Sequence, residues 1–224
     1  MPLLWHKKKL TKALLKLTNE PTTTITDLVI AIFGFYCAHF LQSLYFNSQM
    51  EVHKYFSLYF LSIAIGASFG SVYHAVETKF HNFRSGLWKM IMICMVLSSV
   101  TLLLAIIFFS ISSNDSSQKF LQILSYGVIF FSTIKIFYND DITNAALIYC
   151  PISFISAVVM FLSWYHNSNM DAKQILIGLI ISLFGTSFVI TRISLHKHFN
   201  HNDIFHVFQI IGMYFIFVGS IKIL

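Results

Sequence analysis

Seven stretches of this chain have the length and apolarity of membrane spans: residues 25–46, 53–76, 86–111, 120–138, 143–165, 172–191 and 203–223. Each holds 19 to 26 residues. At a helical rise of 1.5 Å, about 20 residues cross a hydrocarbon core ~30 Å thick. A segment in lipid must satisfy its own backbone polar groups, and at these lengths only helices do so. The expectation is an all-α fold, an integral membrane bundle of seven transmembrane helices. Composition agrees: only 11% of the residues are charged, where soluble domains carry about 25%. Lys135 interrupts the fourth stretch, and several Gly, Ser and Thr residues thin the fourth and sixth. Pro151 is expected to kink the fifth helix.

The formal net charge is +6, but it is concentrated rather than spread, so it does not point to nucleic acid. Five lysines, Lys7, Lys8, Lys9, Lys12 and Lys16, fall within the first sixteen residues, with Leu10, Leu14 and Leu17 on roughly one helical face between them. Residues 1–19 therefore read as a basic amphipathic segment drawn to anionic lipid headgroups, or else as a solvated basic tail. No apolar core with a small-residue cleavage site follows them, so a cleaved signal peptide is not expected. Residues 20–224 form the expected transmembrane domain. Cys37, Cys94 and Cys150 all lie in apolar stretches without CxxC spacing, which suggests buried, reduced thiols.

Lysines and arginines divide unevenly between the two ends of the bundle. Eleven lie on the N-terminal side and four on the other. By the positive-inside rule the N-terminus is expected in the cytoplasm and the C-terminus outside. A chain of this kind suits a bacterial inner membrane.

The polar residues converge on that same N-terminal side. The second span closes with ASFGSVYHAVE, which contains Ser71, His74 and Glu77. The seventh opens with HNDIFHVFQ, which contains His201, Asp203, His206 and Gln209, and the first begins in EPTTTITD with Glu20 and Asp27. Ser71, His74 and Glu77 step by three, as do Asp203, His206 and Gln209, so each set shares one helical face. An aspartate in the bilayer centre costs ~2.5–3.5 kcal/mol on insertion scales, so such groups pair, bind a metal or do chemistry.

Two readings of the cluster follow. In the structural one, Asn202 or Asp203 caps the seventh helix, Ser71 bonds the carbonyl one turn back, and the histidines reach interfacial water. In the functional one, His74 and His206 bind Zn2+, with His201 or Asp203 as third ligand and a water in the fourth position. The metal would activate that water and polarise a carbonyl, Ser71 would donate to the oxyanion, and Glu77 or Asp27 would move the proton. A site at this depth suits a membrane lipid with an amide or ester near its headgroup.

GSVYHAV at 70–76 and HNDIFHVFQ at 201–209 resemble motifs of the seven-span superfamily of alkaline ceramidases, progestin/adiponectin receptors and GPI-lipid remodelling proteins. The resemblance covers the seven-span layout and about a dozen motif residues. It implies a zinc-dependent lipid hydrolase at the cytoplasmic face, or a receptor built on the same site. Residue by residue, only His74 and His206 match. Asn202 stands where the family has its first seventh-span histidine, and Ser85 where ceramidases keep an aspartate. Those departures keep a second class open, a non-catalytic lipid-binding sensor or receptor with a degenerate metal site. An ion pathway through Asp27, Lys135 and Asp203 lacks a mid-span charge, and a bis-histidine haem site lacks further histidine pairs.

Overall fold

The computed structural model describes residues 20–111, 116–196 and 199–223. The basic N-terminal segment, with its lysine cluster, lies outside the described residues. Among these there are seven helices and no strand: α1 Pro21–Ser48, α2 Glu51–Ala75, α3 His81–Ser110, α4 Ser116–Tyr138, α5 Ile142–Asn167, α6 Met170–Thr191 and α7 His201–Ser220. All seven are long and apolar enough to cross a membrane. The protein is an all-α, multi-pass seven-helix bundle.

Several helices begin earlier than the apolar pattern does. α1 starts at Pro21, α3 at His81 and α4 at Ser116. The first turn of a transmembrane helix lies at the interface, where water and side chains satisfy its free N–H groups, so it need not be apolar. Pro21 occupies the first turn of α1, where its missing N–H costs nothing.

Burial separates a core from a rim. The most apolar 18-residue window of α3 is 67% buried and that of α4 only 11%. α4 is therefore a peripheral helix, with Phe130 and Phe131 largely exposed toward the lipid. The core gathers around α2 and α3, where Phe56, Phe60, Met92, Leu104 and Ile106 are fully enclosed. Cys37 and Cys94 are buried, Cys150 is partly so, and all three are free thiols.

Small residues set the helix spacing. Gly178 on α6 and Gly212 on α7 meet so closely that a Cβ on Gly178 would fall 2.5 Å from the Gly212 carbonyl oxygen and 2.9 Å from the Ile216 nitrogen. Without a hydrophobic drive between helices in lipid, such backbone approach supplies the packing energy. Gly66 and Gly70 of α2 serve two different neighbours: a Cβ on Gly66 would lie 2.9 Å from Cys94 Cβ on α3, and one on Gly70 would lie 2.7 Å from Asp27 Oδ2 on α1.

Candidate functional site at the α1–α2–α7 end

The start of α1, the end of α2 and the start of α7 meet at one end of the bundle. The Glu20 backbone N–H donates to the His74 carbonyl at 3.1 Å, which ties the first two together. Asn200 Nδ2 donates to Thr23 Oγ1 at 3.4 Å, which brings in α7. Arg84, at the start of α3, closes the end of α2: its guanidinium donates to the Tyr73 and Val76 carbonyls at 2.7 and 2.6 Å. It also stacks over the Tyr73 ring, 4.1 Å from the centroid.

α7 begins with a capping box. Asn200 Oδ1 accepts from the N–H groups of Asn202 and Asp203, and Asp203 Oδ2 accepts from the Asn200 N–H at 2.7 Å. The N-cap is thus Asn200, and Asp203 is its reciprocal partner rather than the cap itself. One Asp203 carboxylate oxygen is spent on the helix terminus. The other lies 3.5 Å from Thr26 Oγ1.

His206 sits one turn deeper and is buried. Its Nδ1 lies 2.7 Å from Thr26 Oγ1 and its Nε2 3.4 Å from Asp27 Oδ1. The direction of the Thr26–Nδ1 bond depends on the tautomer: Thr26 Oγ1 either donates to Nδ1 or accepts from Nδ1–H and donates instead to the Thr23 carbonyl at 3.1 Å, while Nε2 faces Asp27 at an ion-pair distance. Asp27 in turn packs against the bare backbone of Gly70, and its side chain is only 8% exposed. α1 therefore offers Thr26 and Asp27, adjacent in sequence, to both nitrogens of one histidine on α7.

His74 turns to the other acid of α1. Its Nδ1 lies 3.0 Å from Glu20 Oε2, an ion-pair distance without hydrogen-bond alignment. Contact with His74 holds the Glu20 carboxyl below its ordinary range; the charges of His74 and Arg84 and a bond from Thr23 act in the same direction, and partial burial opposes them. Glu20 is the accessible edge of the cluster, with its side chain 38% exposed. Glu20 occupies the N-cap position of α1, without a side-chain capping bond.

The other sequence candidates lie elsewhere or are otherwise engaged. Ser71 donates to the Thr24 carbonyl on α1 at 3.1 Å, an interhelical bond rather than one to its own helix. Glu77 falls beyond the end of α2, exposed and paired with Lys79 at 2.8 Å. His201 opens α7 facing the preceding loop, where its N–H donates to Ser194 Oγ at 3.2 Å. Asp27, His74, Asp203 and His206 are the predicted residues that the fold brings together, with Ser71 beside them. Thr26, Asn200 and Arg84 were not anticipated. The N-x-x-D spacing at 200–203 is a capping-box pattern that marks Asn200 in the sequence.

These donors do not fit a resident zinc ion as arranged. Among the described residues, no three His, Cys, Asp or Glu side chains are grouped to hold a metal. Both nitrogens of His206 face groups of α1, and one oxygen of Asp203 is held by the α7 terminus.

Fold and site together define a multi-pass seven-helix membrane protein with a buried acid–histidine cluster at one end. The chain belongs to DUF6962, a family of unknown function, which it matches over residues 22–224. No curated protein and no solved structure matches it.

Proposed function

We propose that this protein is a non-catalytic seven-span sensor or receptor for a membrane lipid, in which an acid–histidine latch replaces a metal centre. The observation that carries this reading is the engagement of His206: Thr26 at 2.7 Å and Asp27 at 3.4 Å take its two nitrogens. A catalytic zinc site needs ligands with free lone pairs converging on one point and an open fourth position. Here the histidines meet carboxylates and hydroxyls of their own chain, and the contacts fasten α7 to α1 and α1 to α2. Such a latch suits a protein that responds by shifting helices.

The setting supports a lipid as the ligand. Ile25, Leu28, Val29 and Ile32 on α1 and Val72 on α2 are exposed apolar side chains flanking the cluster. A headgroup at this depth reaches the accessible Glu20–His74 edge and competes for it. The positive-inside count supports placing this end in the cytoplasm, and the inner membrane of a bacterium suits the chain.

Native mass spectrometry of protein extracted with its surrounding lipid tests the reading, wild type beside Glu20→Gln and His74→Ala. A defined lipid class retained by wild type and lost from both variants is the expected result. Turnover of a lipid ester or amide that disappears in His206→Ala would overturn it in favour of the zinc-dependent hydrolase.

A further inference from the structure

The polar face of α7 does not stop at His206. Three residues on, Gln209 points into the centre of the bundle, only 7% exposed. Its Oε1 has no hydrogen-bond partner in the protein, and neither does Ser182 Oγ on α6, whose residue is 4% exposed. Both line a cavity of about 20 Å³ enclosed by α2, α3, α5, α6 and α7, together with Tyr59, Ser98, Ser99 and Ser153. Two orphaned polar groups at the middle of a membrane bundle are costly, because each loses its hydrogen bonds to water and gains none in return. That they face the same small polar cavity calls for a common partner.

From this convergence we propose that the bundle centre is a built hydration site, binding one water molecule between Gln209 and Ser182. Size decides the class of guest. A cavity needs about 10–15 Å³ of probe-occupied volume for a water, and any organic ligand needs several times the volume available here. The chemistry balances as well. The water donates to Gln209 Oε1 and accepts from the Ser182 hydroxyl. Ser98 and Ser99 spend their own protons on the Met95 and Val96 carbonyls, both at 2.9 Å, so their oxygens remain free to accept the second water proton. Ser182 also borders the close α6–α7 approach, since a Cβ on Gly212 would meet its Oγ. The water thus extends the α7 stripe of Asp203, His206 and Gln209 inward and joins it to α3 and α6.

Hydroxyl-radical footprinting of the full chain in nanodiscs, with radicals generated from water inside the protein, reads the site directly. Tyr59 lines the cavity yet is 4% exposed, while Phe56 and Phe60 on the same helix are fully enclosed at 0%. The expected result is Tyr59 labelling several-fold above that of both phenylalanines, reduced in Gln209→Leu. Labelling of Tyr59 no higher than theirs would overturn the proposal. Ser182→Ala gives a second reading should Gln209→Leu fail to fold. Losing a water-satisfied hydroxyl lowers the unfolding midpoint, whereas losing an orphaned one in a dry cavity leaves it unchanged or raises it. Either of the latter results would also overturn the proposal.

Discussion

The contact between Asp27 and His206 joins the first and last helices of the bundle, and a double-mutant cycle measures what it contributes. Asp27→Asn replaces the carboxyl but keeps the shape; His206→Gln keeps a polar side chain but removes the ring. The Nε2–Oδ1 separation is 3.4 Å, and the two side chains are 10% and 8% exposed. Polar contacts within a protein contribute about 0.5–1.5 kcal/mol net, and this one is longer than the hydrogen-bond optimum, so the lower half of that range is expected. Each single variant leaves its buried partner short of a bond and costs more than the contact itself. The double variant is therefore expected to be less damaging than the sum of the singles, by about 0.5–1 kcal/mol. Equilibrium unfolding in mixed detergent–SDS micelles supplies the four free energies. A coupling near zero would refute the reasoning, because the two groups would then be buried side by side without interacting.

Two further outcomes follow from the packing and from Glu20. Gly178→Ala places a methyl against the Gly212 and Ile216 backbone, and overpacking of this kind costs about 1–3 kcal/mol; unfolding within experimental error of wild type would show that α6 and α7 separate freely. Glu20 has its carboxyl held below the ordinary range by His74. Its contribution to stability is thus fully present above the unfolded carboxylate value of about 4.3 and is lost as pH falls through the lower folded value. Glu20→Gln should flatten the unfolding profile across that acid range. A wild-type slope that persists in the variant would assign the effect to other groups.

The bundle was legible from the sequence because a membrane span must be apolar over its whole lipid-facing length, and that pattern needs no tertiary information. The site was legible in part. His74 and His206 stand at helix ends on faces their spacing defines, and the structure brings both to the same end. Glu77 was misplaced by the same logic: the three-residue step from His74 assumes that the helix continues, but α2 ends at Ala75 and Val76 is extended, at φ −76° and ψ 135°. His201 fails for a related reason, since at the first position of α7 its orientation is set by the preceding loop. Thr26 could not be read as the partner of His206, because which of three consecutive threonines and a fourth nearby faces α7 depends on how α1 rotates against it. Gly70 decides that contact by admitting the Asp27 carboxylate where any side chain would exclude it. Arg84 counts in the sequence only as one of the eleven cations on the N-terminal side, and only the fold shows it holding the last carbonyls of α2.

On the proposed reading the histidines are held by acids and hydroxyls of their own chain rather than by a metal. Elemental analysis of detergent-purified protein, prepared without chelator and compared with His74→Ala and His206→Ala, tests it most directly. Substoichiometric zinc, the same in all three proteins, is the expected result. Near-stoichiometric zinc in wild type, lost in both variants, would contradict it and establish a metal centre shared by α2 and α7.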